Sequence, residues 1–187
     1  MASHSDAEIT VRSTTVREPR VIMLGMLVRK ATIEDISRIS ALLVANGVDR
    51  GGALVGDWRE PEIRRRIERR DLVLTAYEGE QLAGVLLTEE REQATAPRVL
   101  AMLRAWPGRA DAYVYGPVCV DAAARGKGVL QKLYTKLMQE RPGAEAILFI
   151  RRNNEQSLKA HLRLGLQEVA RFEMSGEIYL VLSSQGD

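Results

Sequence analysis

A mixed β-sheet flanked by helices, α+β in class, is the architecture this sequence predicts, and three observations carry it. Strand-like apolar runs outnumber helix-like ones along the chain. Short polar turns, Glu78-Gly79-Glu80-Gln81 and Ser175-Gly176, join neighbouring runs into hairpins. Elsewhere a stretch of helical periodicity separates Val118-Cys119-Val120 from the next apolar run, Ala146 to Ile150, which makes a crossover.

At 187 residues, 45% hydrophobic and 28% charged, the chain has room for one domain with a proper core. A formal charge of +2 and a pI near 8.8 are too mild for a nucleic-acid reader, whose basic residues concentrate in a stripe. The single cysteine, Cys119, excludes an internal disulfide and a cysteine-based zinc site. His4 and His161 are too few and too far apart for a metal centre. The apolar run Val21 to Val28 falls well short of the roughly 20 residues a membrane span needs. Arg17 and Arg20 precede it, but Arg29-Lys30 follow directly without a small-residue cleavage site, so it is not a signal peptide. The expectation is a cytoplasmic protein with no nucleic-acid or membrane partner.

Residues 1–20, rich in Ser, Thr and charge, read as a flexible extension ahead of a domain over 21–187, and Met23 and Met26 leave a shorter start open. Val21 to Arg29 reads as a strand. Thr32 and Asp35 then form a capping-box pattern before the apolar stripe Ile36, Ile39, Leu42 and Leu43, which predicts a helix. Asn46 to Asp57, with Gly47, Gly51, Gly52 and Gly56, is either a flexible connector or a substrate-covering loop. Pro61 opens a short helix, Glu62 to Arg70, whose run RRRIERR reads as a solvated face. Leu72 to Tyr77 and Leu82 to Thr88 make the first hairpin, and a helix is expected around Arg98 to Trp106. Asp111 to Val120 is a strand interrupted by Gly116-Pro117, which predicts a bulge or a parting of strands because proline cannot donate to a ladder. Ala146 to Ile150 is a buried strand, Ser157 to Leu164 a helix, and Val169 to Met174 with Ile178 to Leu182 the last hairpin.

The chemistry concentrates in Asp121 to Leu130, DAAARGKGVL. A strand ends at Val120, and Val129, Leu130, Leu133, Leu137 and Met138 recur at helical spacing after the turn. The first N–H groups of such a helix have no internal partner, glycine lets a ligand approach closely, and the helix dipole favours an anion there. With Arg125 and Lys127 beside Gly126 and Gly128, the turn reads as a pyrophosphate seat or as an ordinary basic strand-to-helix turn. It is not a P-loop, since Gly128 follows Lys127 where Ser or Thr is needed. Nor is it a dinucleotide fingerprint, whose third glycine falls at Gln131.

The turn resembles the acyl-CoA signature of the GNAT N-acetyltransferases, Arg/Gln-x-x-Gly-x-Gly/Ala. Arg125 and Gly128 match, while Leu130 stands where a small residue is usual. Downstream, Asn154-x-x-Ser157-Leu158-x-x-His161-x-x-Leu164-Gly165-Leu166 is similar to that family's Asn-x-x-Ala-Ile-x-x-Tyr-x-x-x-Gly-Phe. Two motifs in the right order extend the resemblance over roughly residues 25–182. It implies a mostly antiparallel, twisted sheet of about seven strands, with the fourth and fifth splayed so that pantetheine adds to the fourth as an extra strand would.

The resemblance further implies acetyl-CoA as acyl donor and no metal. Val118, Cys119 and Val120 would offer backbone to the pantetheine and thioester just after Gly116-Pro117. Gly126, Lys127, Gly128, Val129 and Leu130 would hold the pyrophosphate beside Arg125, with Asn154 and Ser157 on the far side. His161 takes the place of the tyrosine that protonates the leaving thiolate, or it merely packs. Glu89, Glu90, Asp111 and Tyr115 are the candidates for general base, and Trp58 and Trp106 line an acceptor pocket or the core. Cys119 reads as a small core residue. The implied reaction is direct acetyl transfer to a primary amine of a small molecule or peptide. The alternatives are a non-catalytic acyl-CoA-binding module and a partner-binding protein, and a homodimer is left open.

Overall fold

The structure is a computed structural model that describes residues 25–185. The expected N-terminal extension and the start of the first strand lie outside the described residues. In chain order the elements are β1 (Leu27–Lys30), α1 (Ile36–Ala45), α2 (Glu60–Glu68), β2 (Val73–Glu78), β3 (Gln81–Glu90) and α3 (Pro97–Ala105). There follow β4 (Tyr113–Val120), α4 (Val129–Glu140), β5 (Ala146–Arg151), α5 (Glu155–Leu162), β6 (Gln167–Met174) and β7 (Glu177–Ser183).

All seven strands join one sheet in the order β1-β2-β3-β4-β5-β7-β6. Every neighbouring pair is antiparallel except β4–β5, which is parallel and bridged by α4. The two polar turns give the β2–β3 and β6–β7 hairpins, while parallel strands need a crossover.

The two periodicities decide the layers. On one face Leu74, Ala76, Leu86, Tyr113 and Tyr115 pack against Val129, Leu133, Tyr134 and Leu137 of α4, with Leu158 of α5 alongside. The opposite face is covered in two separate patches. Val73, Val85, Leu87 and Cys119 meet α1 and α2, whereas Val114, Ile147 and Val181 meet α3. β4 runs along the boundary between them.

The Thr32–Asp35 capping pattern forms as expected, and the structure gives it a further role. Asp35, 1% exposed, accepts from Thr32 N at 2.7 Å, from the Tyr77 hydroxyl at 2.7 Å, and from both Arg29 Nη atoms at 2.7 and 2.8 Å. Burial alone would push its pKa up, but these donors outweigh burial and hold it at about 2. One carboxylate thus ties the start of α1 to β1 and β2.

Two expectations need correction. The RRRIERR run is not wholly a solvated face, because Arg66 is buried. Ile63 and Arg66 lie three apart on the helix, so the turn that buries one buries the other. Arg66 reaches Glu62 at 2.7 Å and Glu89 at 3.6 Å, and stacks over Trp58 at 5.5 Å. Second, the sheet parts earlier than expected. The predicted bulge is present, with the β3–β4 register shifting between Leu86 and Thr88, opposite Gly116 and Pro117. However, β4 and β5 pair only through Tyr113–Ala146 and Val114–Ile147, so the opening begins at Tyr115.

The glycine-rich segment folds back on itself. Val48 N donates to Leu54 O at 3.1 Å, Leu54 N to Asn46 O at 3.1 Å, and Gly52 N to Gly47 O at 2.9 Å.

Candidate functional site

At the far end of β4, Asp121 closes a short turn by accepting from Ala123 N at 2.9 Å. Gly126 and Gly128 follow with φ of 77° and 75°, a left-handed backbone that disfavours any side chain. A Cβ on either would meet nothing within 4 Å, so the conformation and not crowding demands glycine, and the turn is open to solvent. Within the described residues the N–H groups of Gly126, Gly128, Val129, Leu130 and Gln131 have no acceptor. These donors stand free at the start of α4, where the helix dipole favours negative charge.

The flanking residues divide the work. Arg125 is exposed and has no ion pair among the described residues. Lys127 Nζ is 2.7 Å from Glu78 Oε2 on the β2–β3 hairpin. Val129 is buried and roots the helix in the core, whereas Leu130 is half-buried and stays outside the core around Leu133.

Along the opening, Asp121 N donates to Ala83 O at 2.9 Å. Antiparallel ladders alternate, so Cys119 also bonds toward β3, while the backbone groups of Val118 and Val120 face the gap. Cys119 therefore does not present its backbone there, contrary to expectation. Its Sγ lies on the α1 side, 4.0 Å from Leu42 O, and burial pushes the thiol up to about 11. It is a core thiol.

Beneath the opening lies α5. Asn154 Oδ1 accepts from Ser157 N at 3.2 Å, so the predicted cofactor residue caps this helix. One turn on, His161 is 2% exposed, and its Nδ1 lies 2.8 Å from Ser157 O and 3.4 Å from Ser157 Oγ. A carbonyl can only accept, so Nδ1 carries the hydrogen and Nε2 is left with a lone pair. Burial pushes the His161 pKa down, which the Ser157 carbonyl only partly offsets, so the ring is neutral near pH 7. Tyr115 meets it edge-on, ring centres 5.5 Å apart at 90°, and packs on Tyr134 at 6.2 Å. Burial holds the Tyr115 hydroxyl well above its usual pKa, so it keeps its proton. Neither Tyr115 Oη nor His161 Nε2 has a hydrogen-bond partner among the described residues.

The carboxylates proposed from sequence lie outside this opening. Glu89 pairs with Val114 in register, at the closed end, and its side chain is buried 3.2 Å from Arg69 and 3.6 Å from Arg66. Glu90 is ion-paired to Arg141. Asp111 is exposed, 3.4 Å from Arg109, before the start of β4. Sequence reasoning missed Glu145, which is 1% exposed and gathers Trp106 Nε1 at 2.8 Å, Arg109 N at 2.6 Å and Ser183 Oγ at 2.6 Å. It braces the start of β5, and Trp106 is thereby a structural partner. A charged residue just before a buried strand was the one available signal.

A cleft of about 390 Å³ opens between Arg152-Asn153 and Gly176–Ile178, on the β7 side of β5. A larger one, about 510 Å³, lies between Lys30, Arg70, Asp71 and Arg141 at the C-terminal end of α4 and touches none of the site residues.

Residues 49–166, more than half of the chain, match the model of the acetyltransferase (GNAT) family. The chain belongs to that family. Its fold matches many solved GNAT structures. One is yncA, a putative acetyltransferase from Salmonella typhimurium with its cofactor acetyl-CoA, at 19% identity and TM-score 0.63, covering 87% of this chain and 94% of that one. An N-acetyltransferase from Staphylococcus aureus Mu50 is similar at 18% identity and TM-score 0.63, covering 84% and 96%. A ribosomal-protein-alanine N-acetyltransferase from Brucella melitensis shares 20% identity with TM-score 0.61, covering 84% and 98%. Among curated proteins none matches this sequence. The GNAT chain has, among its described residues, no helix long and apolar enough to cross a membrane.

Proposed function

We propose that this acetyltransferase transfers an acetyl group from acetyl-CoA directly to a primary amine of a small molecule or peptide. The observation that carries the reading is continuity. The free edge of β4 leads, over Val118 and Val120, into a turn of unpaired N–H groups at the start of α4. An extended arm with a pyrophosphate at one end fits such a track, bonding first to a strand edge and then to a helix N-terminus.

In this reading acetyl-CoA supplies the activated thioester, and the chain supplies position. Val118 and Val120 hold the pantetheine, Gly126 to Leu130 with Arg125 hold the pyrophosphate, and Ser157 and His161 of α5 close the far side. The acceptor comes from the opposite face, where α1–α2 and α3 leave β4 between two separate core patches. With none of the carboxylates Glu89, Glu90 and Asp111 in the opening, alignment and backbone donors supply most of the rate enhancement, and the amine enters already neutral or loses its proton to water.

Calorimetry with acetyl-CoA tests the seat, on wild type and on the double variant Arg125→Glu, Gly128→Asp. Micromolar binding by the first and none by the second is expected, followed by amine-dependent thiol release in a screen. A folded wild type that does not bind would overturn the proposal, and binding without release with any amine would leave a non-catalytic acyl-CoA module.

A further inference from the structure

The chain is poor in aromatic residues, 5% in all, yet both of its phenylalanines meet Tyr179 at one corner of the sheet. Tyr179 of β7 stands in register between Arg151 of β5 and Phe172 of β6, and alternation puts Phe149 on the same face, two residues before Arg151. Phe172 stacks on Tyr179, ring centres 5.0 Å apart at 12°, and Phe149 meets both edge-on at 5.7 and 5.5 Å. This is the α3 face, the side assigned above to the acceptor. Phe149 lies just past Ile147, the last residue of β5 to pair with β4, so its ring stands at the lip of the opening. Phe149 and Phe172 are only partly buried, and the side chain that the first turn of α3 brings to Tyr179 is a cation, Arg98. Arg98 Nε donates to Tyr179 Oη at 3.0 Å. Its two Nη groups have no acceptor among the described residues and are not sealed from water. Arg152, exposed and without an ion pair among the described residues, borders the cleft of about 390 Å³ at the same end of β5. Between them Arg151 and Glu177 share a loose 3.7 Å contact, so these side chains carry three positive charges against one negative.

We propose that this corner is the acceptor subsite and that it selects a primary amine with an aromatic body and a carboxylate. This rests on the acetyl-transfer reading above and adds the substrate class to it. A flat ring lies against Phe149 and Phe172, in the offset or edge-on contacts that aromatic pairs prefer. Arg98 is fixed by Tyr179 through Nε, which leaves its Nη pair as a pre-set fork for a carboxylate. With ring and carboxylate both held, the amine is turned toward the opening beside Phe149. Arg151 and Arg152 add a positive field in which Glu177 is outnumbered, so a polycationic amine is repelled. An apolar amine leaves the Arg98 fork unused, and an aliphatic amino acid leaves the rings without an aromatic partner.

Three amines separate the two contacts: para-aminoethylbenzoate has ring and carboxylate, phenethylamine the ring alone, and aminocaproate the carboxylate alone. Each is titrated by calorimetry into the full chain, with and without coenzyme A. The wild type should bind para-aminoethylbenzoate about tenfold more tightly than phenethylamine, as one charge-assisted pair predicts, and about threefold more tightly than aminocaproate. Arg98→Gln should abolish the first preference and Phe172→Leu the second, while each variant keeps its acetyl-CoA affinity within about twofold of wild type. A wild type that binds none of the three, or all three alike, would overturn the subsite, and so would an Arg98→Gln protein that still prefers the carboxylate. These titrations need no turnover, so they stand apart from the acetyl-transfer reading, which fails if acetyl-CoA does not bind or no amine releases thiol. Under turnover, Arg98→Gln should raise the KM of para-aminoethylbenzoate about tenfold with kcat within about threefold, and leave phenethylamine unaffected.

Discussion

Lys127 Nζ lies 2.7 Å from Glu78 Oε2, which fastens the glycine turn before α4 to the tip of the β2–β3 hairpin. Both side chains are about half exposed, so the pair adds little to stability and its main effect is on where the lysine points. Glu78→Gln should free Lys127 for the pyrophosphate and tighten acetyl-CoA binding about threefold at low ionic strength, fading in ~0.5 M salt as the charges are screened. Calorimetry at two salt concentrations checks this, and unchanged affinity at low salt would show that Lys127 does not reach the ligand.

Asp35 makes folding pH-dependent in a narrow window. Its pKa in the folded protein is held at about 2, below the ordinary 3.8. The stability it contributes is therefore fully present above pH 4 or so and is lost as pH falls through about 2. Asp35→Asn should cost about 2 kcal/mol near neutral pH and flatten the dependence below pH 4. Urea unfolding between pH 2 and pH 6, on both proteins, would show whether that slope belongs to Asp35.

Gly52 sits against the backbone it folds over. A Cβ there would come 1.9 Å from Asn46 O, a collision with main chain that no rotamer relieves. Gly52→Ala should destabilise the chain by about 1–3 kcal/mol through the loop between α1 and α2. Gly51→Ala, where a Cβ meets nothing but φ is 78°, should cost less, about 1 kcal/mol. Thermal melts of the two variants give the order, and the reverse order would mean that the loop rearranges freely.

Glu145 offers a test of the closed end of the opening. Removing its carboxylate takes the acceptor from Trp106 Nε1 and the Arg109 N–H in a part-buried corner, while Ser183 Oγ falls back on its bonds with Gln185. Glu145→Ala should therefore destabilise by about 3 kcal/mol, and acetyl-CoA should bind more weakly because the β4–β5 pairing depends on this corner. Denaturant titration with and without acetyl-CoA separates the two effects. A loss below about 0.5 kcal/mol would mean water replaces the carboxylate.

Local signals carried much of this protein into view. The hairpin turns, the capping box at Thr32 and Asp35, the bulge at Gly116-Pro117 and the glycines of the turn before α4 each depend on residues close together in sequence. Backbone conformation and hydrogen bonding within a few residues decide such features, so their residue types are legible without a fold.

Other features depended on which faces met. Arg66 looked like one cation among several, and only the packing of α2 on the sheet buried it against Glu89 and Trp58. Cys119 sat in a strand whose backbone direction no sequence period reveals, because alternation in a ladder is set by the partner strand. Tyr115 and His161 are separated by a helix and a strand, α4 and β5, and they meet because β4 parts from β5 and α5 returns beneath the gap. The sequence by itself determined the family, the order of elements and the glycine turn that opens α4. The tertiary structure decided which polar groups are buried, which stay unpaired and which face the opening, because burial and pairing are properties of surfaces brought together and not of residues along a chain.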